Sequence, residues 1–169
     1  IAAIVKLCYE NSIPVIPRGA GTGLTGAAVA LHGGVMIDMS KMNKILEYDK
    51  ENFVVRVEAG VLLNDLAEDA QKQGLLYPPD PGEKFATLGG NVSTNAGGMR
   101  AVKYGCTRDY VRAMTVVLPT GEIVKLGATV SKTSTGYSLL NLMIGSEGTL
   151  GIITELTLKL IPAPKETIS

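Results

Sequence analysis

Glycine concentrates in three stretches far apart in the chain: residues 17–26 (PRGAGTGLTG), 88–98 (LGGNVSTNAGG) and 145–151 (GSEGTLG). Glycine accepts positive φ and lets a backbone approach a ligand closely, so such stretches can present rows of N–H donors to an anion. Thr22, Ser93, Thr94, Asn95 and Ser146 lie among the glycines, and their hydroxyl and amide groups suit phosphate, ribose and ring-edge hydrogen bonds. A single stretch of this kind could equally be a tight turn and nothing more. Three of them, each beside an apolar run, favour one long ligand held along its length, such as a dinucleotide.

Gly21-Thr22-Gly23-Leu24-Thr25-Gly26 has the spacing G-x-G-x-x-G, which in a Rossmann unit opens a helix whose N-terminus takes a pyrophosphate. Only six residues separate Gly26 from Gly33, and a strand pattern resumes at Val35, so no crossover helix fits. No Gly-Lys-Ser/Thr follows the loop either, which excludes a P-loop. What remains is a strand followed by a nest of N–H groups. Residues 17–23, 80–87, 89–97 and 147–153 hold no cation other than Arg18 and Lys84, so N–H dipoles must meet most of any phosphate charge. Arg18 has two open roles, pairing with phosphate or bridging within its own loop. Cys8, Cys106 and His32 make neither a disulfide framework nor a zinc or iron–sulfur ligand set, and no metal is expected. His32 reads as a surface or packing residue and Cys106 as a small buried hydrophobe.

The elements that must position these stretches follow from periodicity. Ile1, Ile4, Val5 and Cys8 mark an amphipathic helix ending near Asn11, before Pro14 and Pro17 bracket a strand at 13–16. Residues 35–39, 45–48 and 53–59 read as strands. Residues 62–73 read as a helix that Gly74 terminates. A proline-rich elbow, YPPDPG at 77–82, suggests a lobe boundary. Residues 111–118 and 122–126 flank Pro119-Thr120-Gly121 as a hairpin, 138–144 is a short helix, 150–160 a strand, and Pro162 and Pro164 an exit linker. Strands and hairpins dominate the second half, which predicts α+β architecture rather than a doubly wound sheet.

Composition bounds the rest. The 169 residues suffice for one domain or two small lobes, the core must be aliphatic with 5% aromatic residues and no Trp, and 16 basic side chains balance 16 acidic ones. No basic stripe suggests nucleic acid, and no apolar run reaches the length of a membrane span. Cysteine usage points to reducing surroundings, in keeping with a cytoplasmic protein, peripheral to a membrane only through partners. The opening at Ile1 inside a helical pattern suggests a piece of a longer chain.

PRGAGTGLTG, PPDPGEKFATLGGNVSTNAGG and IGSEGTLGIITELTLKL, in that order, resemble the FAD-binding domain of the vanillyl-alcohol oxidase superfamily, the p-cresol methylhydroxylase type. Within it they are most similar to the glycolate oxidase flavoprotein and D-lactate and D-2-hydroxyglutarate dehydrogenase branch. The resemblance implies a two-lobed α+β FAD-binding domain, with lobes over 1–76 and 77–169. Pro17, Arg18, Gly19, Ala20, Gly21, Thr22 and Gly23 would wrap the pyrophosphate. Asp80 and Thr87, then Gly89, Gly90, Asn91, Ser93, Thr94, Asn95, Ala96 and Gly97, would follow the ribityl and isoalloxazine portions. Glu147, Gly148, Gly151, Ile152 and Ile153 would give backbone contacts near the adenosine and the ring edge. Thr22 and Phe85 stand where some members carry the His or Cys that bonds to flavin, which implies non-covalent FAD. The implied reaction is oxidation of a small 2-hydroxy acid by hydride transfer to flavin N5, with an unidentified electron acceptor and room for partner subunits. The substrate-binding groups of the family lie largely on a C-terminal cap domain that these residues do not include. No catalytic residue is therefore expected here, and the piece alone is expected to be inactive. The alternative is an FAD-binding electron-transfer module serving a partner catalytic chain.

Overall fold

Residues 1–164 are described by the computed structural model of the chain. Helix α1, Ala2–Glu10, turns inward the Val5 and Cys8 side chains that share one face. Ser12 at φ 54 reverses the chain into β1, Val15–Arg18, which starts two residues later than expected. β2, Val35–Asp38, pairs with β1 in parallel register, Val15 opposite Val35. A parallel pair normally needs a helical crossover. Here an irregular connection, residues 19–34, replaces it, in agreement with the absence of room for a helix, and that connection carries most of the first glycine stretch.

β3 (Ile45–Asp49), β4 (Val54–Glu58), β6 (Val111–Val117), β7 (Ile123–Gly127) and β8 (Ile152–Lys159) form one antiparallel sheet in the order β3-β4-β8-β6-β7. The last of these five strands in sequence thus occupies the middle. Its alternation explains why: Leu156 lies opposite Val57 on β4 and opposite Met114 on β6, and Leu156, Leu158, Val55 and Val57 are fully buried. Each such side chain contributes about 1.5–3 kcal/mol by leaving water. The sheet draws β3 and β4 from before the proline elbow and the other strands from after it. The β6–β7 hairpin turns at Gly121, φ 87.

Helix α2, Leu63–Lys72, buries Leu63, Leu66 and Ala70 and ends before Gly74 at φ 73. Elements that periodicity did not reveal are β5 (Leu75–Leu76), α3 (Leu88–Thr94), α4 (Ala101–Tyr104) and a 3₁₀ turn at Thr107–Tyr110. α5, Leu139–Met143, begins at Ser138, whose hydroxyl accepts from the Asn141 amide at 3.2 Å. Pro162 is no linker residue: β9, Ile161–Pro162, pairs with β5. Proline serves there because an edge position of so short a ladder needs no further donor.

Candidate functional site

The second glycine stretch is helical over Leu88–Thr94 rather than a loop throughout. Thr87 caps α3 in extended conformation, its Oγ1 accepting from the Gly90 amide at 3.2 Å, and Asn95 closes it in the left-handed conformation at φ 49. Leu88 and Val92, four residues apart, are fully buried and fasten the helix to the sheet. The Leu88 and Gly89 amides donate to Val61 and Ala59 carbonyls at 2.8 Å, just past β4. A Cβ on Gly89 would lie 2.7 Å from that of Ala59, so glycine is required by close packing. A threonine cap ahead of an i, i+4 apolar pair was the available sequence signal.

The other two stretches fold around α3. The Gly145 and Glu147 amides donate to the Val92 and Ser93 carbonyls at 3.1 and 2.8 Å. A Cβ on Gly148 would stand 2.7 Å from Pro17 Cγ, and one on Gly19 would overlap Thr87 Oγ1. Thr25 Oγ1 donates to Glu147 Oε2 at 3.0 Å, joining the first stretch to the third by side chains.

Between them lies a cleft open to solvent, lined by all three stretches. The amides of Ala20 through Thr25 donate to no protein acceptor among the described residues, and all of these residues but Leu24 line the cleft. The α3 terminus differs. Leu88, Gly89, Gly90 and Asn91 all give their amides to protein oxygens. Any anion here is therefore met by the loop and not by a helix end. Ala59, Ala86, Met39, Ile152 and Ile153 supply apolar surface. Arg18 Nη1 lies 3.5 Å from Asp38 Oδ2 on the neighbouring strand, a bridge outside its own loop, and Arg18 also lines the cleft. Hydrogen bonding from Ser40, backed by Arg18 and Lys41, holds the Asp38 carboxyl below its ordinary value.

Pro17 to Gly23, Thr87, Gly89, Gly90, Asn91, Ser93, Thr94, Glu147, Gly148, Gly151, Ile152 and Ile153 all line this cleft. Asp80, Asn95, Ala96 and Gly97 do not, and three of these four have structural partners. Asp80 faces Arg100 at 3.6 Å, Asn95 Oδ1 accepts from the Arg108 amide at 3.0 Å, and the Ala96 carbonyl accepts from Thr107 Oγ1 at 2.8 Å. Thr25, Ala27, Ala28, Met39, Ala59 and Ala86 line the cleft without having been singled out. Thr25 was legible within G-x-G-x-x-G. The alanines and Met39 carry no local signal, because only the tertiary fold brings them there. Cys106 is half-buried at the start of the 3₁₀ turn rather than enclosed, and His32 is exposed.

Comparison with known proteins gives a consistent picture. Residues 1–127 match the family model described as FAD binding domain. The chain is 83% identical over its whole length to a D-lactate dehydrogenase of Anaerostipes hadrus, covering 36% of that protein. It is 45% identical to glycolate oxidase subunit GlcD of Bacillus subtilis (strain 168) over 98% of this chain and 35% of the relative. A solved structure of alkyldihydroxyacetonephosphate synthase superposes with TM-score 0.86 at 32% identity, covering 98% of this chain and 33% of that one. The chain thus spans about a third of the length of the relatives it matches. With the family match covering most of its length and the glycine cleft at its centre, the chain belongs to the FAD-binding domain family, and FAD is its cofactor.

Proposed function

We propose that the chain is the FAD-binding domain of a flavin-dependent oxidoreductase acting on small 2-hydroxy acids of the D-lactate or glycolate type. The observation that carries the reading is the convergence of all three glycine stretches on one cleft whose loop offers unpartnered amides from Ala20 to Thr25. When bound, FAD supplies a hydride acceptor at N5 and so the redox chemistry of the site. The chain's residues bind and orient. Gly19 to Thr25 hold the pyrophosphate. Thr87, Gly89, Gly90, Asn91, Ser93 and Thr94 face the ribityl and ring portion, and the Ser93 hydroxyl, with no protein partner among the described residues, is free to hydrogen-bond there. Glu147 and Gly148, which touch the loop at Thr25 and Pro17, and Gly151 to Ile153 complete the lining.

Thr22 and Phe85 offer no nucleophile to the flavin, so FAD is held without a covalent bond. Similarity at 83% identity to a protein named D-lactate dehydrogenase favours the hydroxy-acid reading over an electron-transfer module. The synthase neighbour shows that the fold alone does not choose a substrate. The electron acceptor and partner subunits lie outside this chain. Among the described residues no helix is long and apolar enough to cross a membrane, and we place the domain in the cytoplasm on its cysteine usage.

Titration of the chain with FAD, followed by flavin fluorescence, tests the reading. Saturable binding of FAD in preference to FMN, with all flavin released on acid precipitation, is expected. Absence of FAD binding in both this chain and a longer one containing it would refute the site, and flavin remaining on the precipitated protein would refute the non-covalent assignment.

A further inference from the structure

Charge is sparse on the cleft wall, and its arrangement bears on which diphosphates the cleft accepts. Arg18 and Glu147 are the charged side chains that line it among the described residues. Arg18 is balanced by Asp38 at 3.5 Å. Glu147 has no cation partner among the described residues: its carboxylate takes a hydrogen bond from Thr25 Oγ1 at 3.0 Å, at the far end of the free amide row. Its backbone is left-handed, φ 52, a conformation that glycine adopts with less strain, and glycines stand on either side at 145 and 148. An exposed, unbalanced carboxylate is thus tied to the Thr25 end of the loop whose amides would hold a pyrophosphate.

We infer that Glu147 is a specificity-determining residue of this cleft, rejecting diphosphates that end in a free phosphoryl group and admitting those esterified at both ends. The inference rests on the FAD reading above. A doubly esterified diphosphate carries one negative charge per phosphorus. A terminal phosphoryl group carries nearly one more at neutral pH, because its second ionisation lies near pH 6. The amides satisfy either group, so the difference falls on the carboxylate. Coulomb repulsion across a partly hydrated cleft makes one extra charge worth about threefold to tenfold in affinity. Selectivity of this kind comes from a repulsive element rather than an added contact.

The experiment compares ADP-ribose with ADP, which share the adenosine and differ at the end of the diphosphate, by displacement of FAD from the chain. Wild-type protein is expected to prefer ADP-ribose, with the preference shrinking as salt is raised, since screening weakens a Coulombic gate. Glu147→Gln, which keeps the side-chain volume and an acceptor for Thr25, is expected to narrow the preference by about threefold to tenfold, mainly through tighter ADP binding. Glu51→Gln, on an exposed turn outside the cleft, is expected to leave it unchanged. A salt-independent preference in wild-type protein, or an unaltered ratio in Glu147→Gln with FAD binding intact, would overturn the inference alone. Failure of wild-type protein to bind either FAD or ADP-ribose would overturn the cofactor reading and this one with it.

Discussion

Gly19→Ala tests whether the cleft is assembled as described. A Cβ at residue 19 has nowhere to go: it would overlap Thr87 Oγ1, the atom that caps α3 by accepting the Gly90 amide at 3.2 Å. Thr87 is 2% exposed, so neither side chain can swing into solvent. Displacing the hydroxyl removes an N-cap, about 1 kcal/mol, and forces an extra methyl into packed surroundings, about 1–3 kcal/mol. The single variant should therefore lose about 2–4 kcal/mol, or roughly 5–15 °C in Tm for a domain of this size. Thr87→Ala alone should lose about 1 kcal/mol, the cap only. In the double variant the new methyl occupies the space that Oγ1 vacates, and the retained Cβ stands 3.4 Å away, an ordinary contact. The two losses should then fail to add by at least ~1 kcal/mol, the signature of residues in contact. Urea unfolding of the four proteins without cofactor measures the cycle. Additive losses, or a Gly19→Ala protein as stable as wild type, would show that the first stretch does not rest on the α3 cap.

Tyr77 is fully buried against Tyr110, ring centroids 6.0 Å apart, and its hydroxyl has no partner among the described residues. Tyr77→Phe should therefore be neutral or stabilising by up to ~1 kcal/mol in thermal unfolding. Burial, with Tyr110 adding, raises the Tyr77 phenol, so its contribution is complete below the ordinary value near pH 10 and is lost as pH rises beyond it. The alkaline decline of wild-type stability, about 1.4 kcal/mol per pH unit from this group, should be shallower in Tyr77→Phe. Arg108 donates to the Asn141 and Ile144 carbonyls at 2.9 Å each and so clamps the segment entering the third glycine stretch. Arg108→Met should cost about 2–3 kcal/mol in urea unfolding and weaken FAD binding, and an unchanged FAD affinity would separate the clamp from the site.

Much of this arrangement was legible in the sequence, and the losses have identifiable physical causes. Strands with clean alternation, such as Ile152–Lys159, and helices with a buried face, such as Leu63–Lys72, showed themselves within a residue or two. The central place of β8 did not, because strand order is set by long-range pairing of Leu156 with Val57 and Met114 and leaves no local trace. α3 was hidden by its own composition. Gly89 and Gly90 read as loop formers, whereas the helix is held by the Thr87 cap, by Leu88 and Val92 in the core, and by carbonyls from beyond β4. Tertiary contacts overrode propensity there. The cleft showed the same division. Residues on its glycine stretches were found by type, whereas Met39, Ala59 and Ala86 reached it only through folding.

The free amides pose a structural problem of their own. A loop whose amides from Ala20 to Thr25 bond to nothing among the described residues gains no stability from those donors and should be mobile on local grounds. Its shape must be imposed from outside, and each brace is visible. Pro17 at its entry abuts Gly148, Gly19 sits on the Thr87 cap, Gly21 at φ 75 closes over the Arg18 guanidinium, and Thr25 is tied to Glu147. Two of these braces belong to the third glycine stretch and one to α3. The three stretches are therefore one mechanical unit: α3, with its own amides spent on the sheet and its cap, provides the rigid post, and the third stretch holds the loop against it. A donor row kept in place while unsatisfied is poised for an anion without reorganisation, which is the condition under which backbone dipoles bind charge most strongly. By the same reasoning, changes at Gly148 or Thr87, which touch the loop without contributing its donors, should weaken pyrophosphate binding as surely as changes within residues 19–25.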